Sequence, residues 1–257
     1  MVQKMSSEIP ISVAIITKNE EERLPACLKS VSFADEVVVV DSGSVDETLD
    51  VARSFGAKIF IEEWRGFSDQ KQFAVNQCNN VWVLILDADE RIPEATANII
   101  KREIASDEQM ISAYSFRRKN YFHGKWIKHC GWWPDRIVRL VNRKKGGFDG
   151  RRVHESWLTE GRVEELDASI EHVSFQNYSE LVAKMENYSN LAAAEMFEQG
   201  IRANPFTPIL HGIWMFIRTY ILEKGIFDGF DGFMISAMNA GGSFMKYAKL
   251  REKQIEH

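Results

Sequence analysis

Across the first hundred positions, short apolar runs alternate with stretches whose apolar residues recur at helical spacing. Residues 12–16, 36–40, 58–61 and 81–86 read as strands, and the second and fourth runs are so continuously apolar that both faces of the sheet must be covered. Helix starts stand between them. Ser44 with Glu47 three residues on makes a capping box, Ser68 precedes a helix over 69–77, and Pro93 suits the first turn of a helix ending near residue 105. Strand, loop and helix repeating in this order predict a doubly wound, mostly parallel α/β sheet with helices on both faces.

From residue 113 to 173 the pattern changes to short strands with Gly-rich turns, among them Lys145, Gly146 and Gly147, and predicts a mixed sheet continuing the first. Leu181, Val182, Met185, Tyr188, Leu191, Ala192 and Met196 then recur at helical spacing over 179–199, and a second helix is expected over 208–222. Residues 224–244 mix five glycines with Phe and Met, a weaker helical signal. The resulting division is a flexible N-terminus (1–9), an α/β domain (10–175, in halves 10–110 and 111–175) and a helical C-terminal region (176–257).

A chain of 257 residues, 45% hydrophobic and 27% charged, can bury a full core. Cys27, Cys78 and Cys130 lie far apart and suggest neither a disulfide framework nor a zinc site, which fits a reducing, cytoplasmic setting. The first ten residues lack the basic start and apolar stretch of a signal peptide, and no run approaches the ~20 apolar residues of a spanning helix. The longest apolar stretch, 209–222, is broken by His211, Gly212 and Arg218, which leaves a core helix or a membrane-surface helix. The net charge of −5 argues against a nucleic-acid partner. It is unevenly spread, however: residues 116–152 hold twelve Lys or Arg against Asp135 and Asp149, a candidate surface for an anionic partner or simply a solvated basic face.

In open parallel sheets ligands bind beyond the carboxyl ends of the strands, and polar residues gather at those points here: Thr17 and Asn19, Asp41 and Ser42, Asp87 and Asp89. In Leu86-Asp87-Ala88-Asp89-Glu90 an apolar strand runs into three carboxylates. Such crowding favours a hard divalent ion, Mg²⁺ or Mn²⁺, shared with substrate phosphates, although a solvated acidic loop reads the same way. In Asp41-Ser42-Gly43-Ser44 the aspartate can accept hydrogen bonds from a nucleoside, or the segment is only a strand-to-helix turn. Lys71, expected in the first turn of the helix after Ser68, could help hold a pyrophosphate or could be an exposed helical lysine.

Four blocks, Ile-Ser-Val-Ala-Ile-Ile-Thr-Lys-Asn-Glu from Ile11, Val-Val-Val-Asp-Ser-Gly-Ser from Val38, Trp-Arg-Gly-Phe-Ser-Asp-Gln-Lys from Trp64 and Leu-Ile-Leu-Asp-Ala-Asp-Glu from Leu84, occur in an order that closely resembles family 2 glycosyltransferases of GT-A fold. Within that family the chain is most similar to lipopolysaccharide core glucosyltransferases of the β-1,4 type. The resemblance implies inverting transfer of a sugar from a UDP-sugar, with 10–110 as the nucleotide-sugar half and 111–175 as the acceptor half. Thr17, Asn19, Glu20, Asp41 and Ser42 would line the nucleoside site, Lys71 would face the ribose or phosphates, and Asp87 and Asp89 would be the DxD pair, with Asp89 the more direct metal ligand.

Inversion also needs a carboxylate base on the face of the sugar opposite the leaving group. The family commonly places a Glu-Asp pair after a Gly-Phe-Asp stretch. This chain departs from it, with His154-Glu155 after Gly147-Phe148-Asp149, so Glu155 is the first candidate for the base and Asp135 the second. His154 could be a third metal ligand, could orient Glu155, or could be a buried structural histidine. Trp126, Trp132 and Trp133 lie in the basic segment and suit a charged saccharide acceptor or a core. Trp214, Met215, Phe216, Phe227, Phe230 and Phe233 suit core packing, a homodimer contact, or peripheral docking on the inner face of the cytoplasmic membrane, as a lipid-linked acceptor would demand.

Other activities fit parts of this pattern. A nucleotidyltransferase would need a Gly-rich phosphate loop after its first strand, where Thr17-Lys18-Asn19-Glu20 has no glycine. A glycosyltransferase with a protein or peptide acceptor would keep the same donor site. A non-catalytic sugar-nucleotide scaffold would bind donor without transfer.

Overall fold

The computed structural model describes residues 9–106, 110–150 and 155–256. At its centre β1 (Ile11–Thr17) pairs in parallel with β2 (Glu36–Asp41) on one side and β4 (Trp82–Asp87) on the other, and β2 pairs in parallel with β3 (Lys58–Ile61). All four lie within one residue of the positions expected from the apolar runs. Past β4 the direction changes: β8 (Arg136–Asn142) is antiparallel to β4, and β6 (Ile111–Phe122) to β8. The sheet is completed by β11 (Arg162–Phe175) beside β6, with β5 (Glu90–Arg91) antiparallel to β11 and β7 (Lys125–Trp126) antiparallel to β6. The β3-β2-β1-β4 half is thus parallel, while β4-β8, β8-β6 and β11-β5 are antiparallel, which gives the mixed α/β sheet that the sequence predicts.

The Gly146-Gly147 segment is strand rather than turn. As β9 (Gly146–Phe148) it pairs with β10 (Trp157–Thr159) in a separate two-stranded sheet. A side chain at Gly146 would collide with the Leu158 carbonyl and the Trp157 indole, so close approach across the ladder explains the glycine.

Alternation along the strands sends successive side chains to opposite faces, and both faces are covered. Ile11, Val13, Ile15, Leu84 and Leu86 pack with Leu24 and Leu28 of α1 (Leu24–Ser30), Ala52 of α2 (Thr48–Ser54) and Ile100 and Ile104 of α4 (Glu94–Ala105). Ala14, Ile16, Val83 and Ile85 pack with Ala74 and Val75 of α3 (Phe67–Gln77).

Two helix starts differ from expectation. The Ser44–Glu47 capping box does not form: α2 begins at Thr48 after Glu47 with no side-chain cap, and the Ser44 hydroxyl bonds Asp41 instead. Gly66, at φ +102°, turns the chain into α3, so Ser68 lies inside the helix and its hydroxyl accepts from Gly150 N at 2.9 Å. Lys71 is therefore one turn into α3, past the free N–H groups of its end.

The chain folds as two compact units. One comprises residues up to Arg118 together with Asp135–His172, and the other Lys119–Pro134 together with the chain from Val173 onward. Segment 119–134, expected in the acceptor half, therefore groups with the C-terminal helices. The second unit contains α5 (Tyr178–Glu198), α6 (Thr207–Phe216) continued by a π-helical turn (Ile217–Leu222), a 3₁₀ turn (Gly225–Asp228) and α7 (Gly229–Glu256). The buried face of α5 is Leu181, Ser189 and Ala193. Val182, Tyr188 and Leu191 of the periodic set are exposed, because α7 brings Gly241 and Gly242 against Met185 and sets the helix rotation. Core packing is likewise overturned for Trp214, Phe227 and Phe230, which are exposed.

Candidate active site

Thr17, Asp41 and Asp87 end β1, β2 and β4, and the register pairs Thr17 with Asp41 and Ile16 with Asp87. Strands roughly 4.8 Å apart thus deliver all three to one edge of the first unit. Asp41 is fully buried and spends its carboxylate on its own loop: Oδ1 accepts from Gly43 N and Ser44 N, both at 2.8 Å, and Oδ2 from the Ser44 hydroxyl. The Ser44 hydroxyl accepts from Asn19 N at 2.8 Å, Asn19 Oδ1 accepts from Val45 N at 2.9 Å, and Glu20 N donates to Thr48 Oγ1 at 2.7 Å. Ser42 accepts from buried Gln70 at 3.1 Å. The nucleoside-site candidates therefore form one braced double loop. Thr17 Oγ1 within it is buried without a hydrogen-bond partner among the described residues.

Beside this loop runs a chain of alternating charges. Glu155 Oε1 accepts from Lys71 Nζ at 2.8 Å, and the same ammonium is 2.9 Å from Asp87 Oδ1. Asp87 Oδ2 accepts from Arg139 Nη2 at 2.6 Å, and Arg139 also donates to Glu90 Oε1 at 2.8 Å. Glu90 lies 3.8 Å from Arg118, which pairs with Asp135 at 2.7 Å. The two candidates for the base, Glu155 and Asp135, stand at opposite ends of this chain. Lys71, Arg139 and Glu90 are closed to solvent, at 2%, 3% and 0% exposure, so Lys71 is not the exposed helical lysine of the alternative reading. Burial pushes the Asp87 carboxyl up, but Lys71 and then Arg139 outweigh it and hold the group well below the usual carboxylate range.

Asp89 turns away from this chain. Its Oδ2 is 3.1 Å from His172 Nε2, and its Oδ1 is buried with no hydrogen-bond partner among the described residues. Burial raises the Asp89 pKa, and the contact with His172 more than reverses that. Burial, and then Glu90, Asp89 and Asp87, push the Cys27 thiol well up, which keeps it un-ionised beside these carboxylates. Among the described residues no three His, Cys, Asp or Glu side chains converge on one point as a ready-made metal cage. The free oxygen of Asp89 nonetheless fits a divalent cation that takes one protein carboxylate and completes its shell with phosphate and water oxygens. His154 lies outside the described residues.

Part of the basic segment is ion-paired within the protein: Arg117 with Asp167, Arg118 with Asp135, Arg136 with Glu165, and Arg139 within the site. Trp126, Trp132 and Trp133 belong to the second unit, where Trp132 packs on its core and Lys119 and Lys128 lie 4.9 and 4.7 Å from the Trp126 ring centre.

Arg139 and His172 were not given a site role from the sequence, and Glu90 entered only as the third carboxylate after β4. Arg139 had a signal, a lone charge in the apolar run Ile137-Val138-Arg139-Leu140-Val141. His172 had none, since only the pairing of β11 with β5, which sets it opposite Glu90, brings it to Asp89.

The glycosyl transferase family 2 model matches residues 12–158. An uncharacterized glycosyltransferase of Rickettsia felis is 33% identical over 96% of this chain and 91% of its own, and the lipopolysaccharide core biosynthesis glycosyltransferase LpsC of Rhizobium meliloti is 30% identical over 97% and 94%. Among solved structures, S. aureus TarS 1–349 in complex with UDP aligns over 96% of this chain and 92% of its own, at 13% identity and a TM-score of 0.47. The matched span covers more than half of the 257 residues and contains every member of the charge chain, and the chain belongs to glycosyltransferase family 2.

Proposed function

We propose that this protein transfers a hexose, with inversion, from a UDP-sugar to an anionic, lipid-linked saccharide of the lipopolysaccharide core type. The observation that carries the reading is the double engagement of Lys71, 2.8 Å from Glu155 and 2.9 Å from Asp87. It ties the candidate base, a phosphate-binding cation and Asp87, the first aspartate of the DxD pair, into one bonded set at the strand ends. Thr17 Oγ1, buried and unpartnered among the described residues, suits a nucleoside contact within the loop braced by Asn19, Glu20, Asp41 and Ser42.

Asp89, with Asp87 beside it and His154 a further candidate, would hold Mg²⁺ or Mn²⁺, which when bound offsets the charge on the departing diphosphate. Lys71 turns its ammonium toward the diphosphate and so releases Glu155. Glu155 then takes the proton of the acceptor hydroxyl as its oxygen bonds to the anomeric carbon and the sugar–diphosphate bond breaks, leaving UDP. Asp135 is the second choice for the base because Arg118 grips it through two nitrogens, at 2.7 and 2.8 Å. The acceptor class is supported by the Rhizobium meliloti relative named for lipopolysaccharide core biosynthesis, and such an acceptor puts the enzyme at the cytoplasmic face of a membrane.

Calorimetric titration with UDP and UDP-sugars, with and without Mn²⁺, tests the donor half. Metal-dependent binding, weakened about tenfold or more in Lys71→Met and lost in Asp89→Ala, is the expected result. No nucleotide binding under either condition would overturn the donor site, and binding without any transfer would leave the scaffold reading. Transfer to peptides but not to lipid-linked glycans would move the acceptor to protein.

A further inference from the structure

Helix α6 and its π-helical continuation carry their residues in the reverse of the usual order for a water-facing helix. The buried positions are small or polar, Pro208, Gly212 and Thr219. A Cβ at Gly212 would lie 3.3 Å from Phe244 Cβ of α7, so the narrow face is the one turned to the protein. The outward positions are large and apolar: Phe206 is 69% exposed, Leu210 65%, Ile213 55%, Trp214 55% and Ile221 59%. Steps of three, four and seven residues put them on one stripe. Phe227 and Phe230, 72% and 68% exposed, extend the apolar surface in the turn and helix that follow.

Charge decides what covers this face. Residues 199–222 contain no Asp or Glu but include Arg202 and Arg218, and Lys224 follows. The first acid beyond them, Glu223, is held by Arg218 at 2.8 Å. A twofold contact between copies would set this basic flank against itself. A bilayer with anionic headgroups matches both the apolar stripe and its flank. Sixteen residues of α6 and the π turn reach about 24 Å, short of the ~30 Å hydrocarbon core. Among the described residues no helix is long and apolar enough to cross a membrane. The segment would lie on the surface.

We propose that the outward face of α6, continued by Phe227 and Phe230, docks this protein in the headgroup layer of an anionic lipid bilayer. The inference deepens the lipid-linked acceptor reading, yet it is testable without donor or acceptor. The test is flotation of the full chain with phosphatidylcholine vesicles, with and without phosphatidylglycerol, for wild type and the double variant Ile213→Glu/Trp214→Glu.

Wild type is expected to float with the phosphatidylglycerol vesicles and less with phosphatidylcholine alone, and the double variant to lose about tenfold or more of that partition. Its melting and UDP binding stay those of wild type, because both side chains already face water. Absence of flotation, equal flotation on both vesicles, or a variant that floats as well as wild type overturns the proposal. So does a wild-type dimer, seen by sedimentation, that the variant dissociates while vesicles are ignored. If flotation fails while metal-dependent UDP binding persists, the docking surface is wrong and the donor reading stands. Flotation without UDP binding leaves the reverse.

Discussion

Arg139 Nη2 lies 2.8 Å from Glu90 Oε1, and the two side chains are 3% and 0% exposed. Burial alone would ease a proton off the guanidinium. Glu90 first and Asp87 next more than reverse this and push the arginine's pKa further up. Arg139 is thus a fixed positive charge between two carboxylates, and the geometry of Asp87 depends on it.

Removing that charge strands Glu90 in the interior. Arg139→Met should lower stability by about 3–5 kcal/mol, the usual cost of breaking a buried pair from one side. Converting Glu90 to Met as well should recover part of the loss, because no uncompensated charge then remains. Urea denaturation of wild type, the two single variants and the double variant measures the coupling. Strict additivity would mean that the pair is not a unit.

The ends of the charge chain separate by kinetics. Glu155→Gln should lower the transfer rate by roughly 10²–10⁴-fold while UDP still binds, because the amide keeps the shape but cannot take a proton. Asp135→Asn weakens the Arg118 contact and should cost about 1–3 kcal/mol of stability with little change in rate. Initial rates and UDP titrations on both variants decide between them. The opposite split would make Asp135 the base.

Away from the site, Glu36 opens β2 with a carboxylate that accepts from Asn79 N at 2.7 Å, Asn79 Nδ2 at 2.8 Å, Lys58 and Ser12. Burial raises its pKa, but these donors together bring it below its ordinary value. A carboxylate depressed by folding adds stability above its unfolded pKa, about 4.3, and loses it as the pH falls through the folded value. Glu36→Gln should therefore be less stable than wild type at neutral pH, with the difference shrinking below about pH 4. Denaturation across that range follows it, and a constant gap would show that the carboxylate charge contributes nothing.

What could be read from the sequence follows how local each determinant is. The four parallel strands were legible because burial on both faces leaves unbroken apolar runs, and Asp41, Asp87 and Asp89 because they end those runs. The pairing of Lys71 with Glu155 spans 84 positions and that of His172 with Asp89 spans 83, so no local pattern contains either. The rotation of α5 was not legible for a related reason. Periodicity marks an apolar face, but Gly241 and Gly242 on α7 decide which side of α5 is approached.

His172 is the member of the site with the least obvious task, and the proposed metal site gives it one to test. Its Nε2 lies 3.1 Å from Asp89 Oδ2, while Oδ1 is buried without a hydrogen-bond partner among the described residues. A side chain that fixes one oxygen of a ligating carboxylate sets the direction of the other, and losing such support commonly weakens metal binding by about 10–100-fold. His172→Ala should therefore weaken Mn²⁺ binding by that factor, read by calorimetry in the presence of UDP, while UDP binding without metal is unchanged. His172→Gln, whose amide can still reach a carboxylate oxygen, should restore part of the affinity. If both variants lost UDP binding with and without metal, His172 would be supporting the fold around β5 and β11 instead of orienting Asp89.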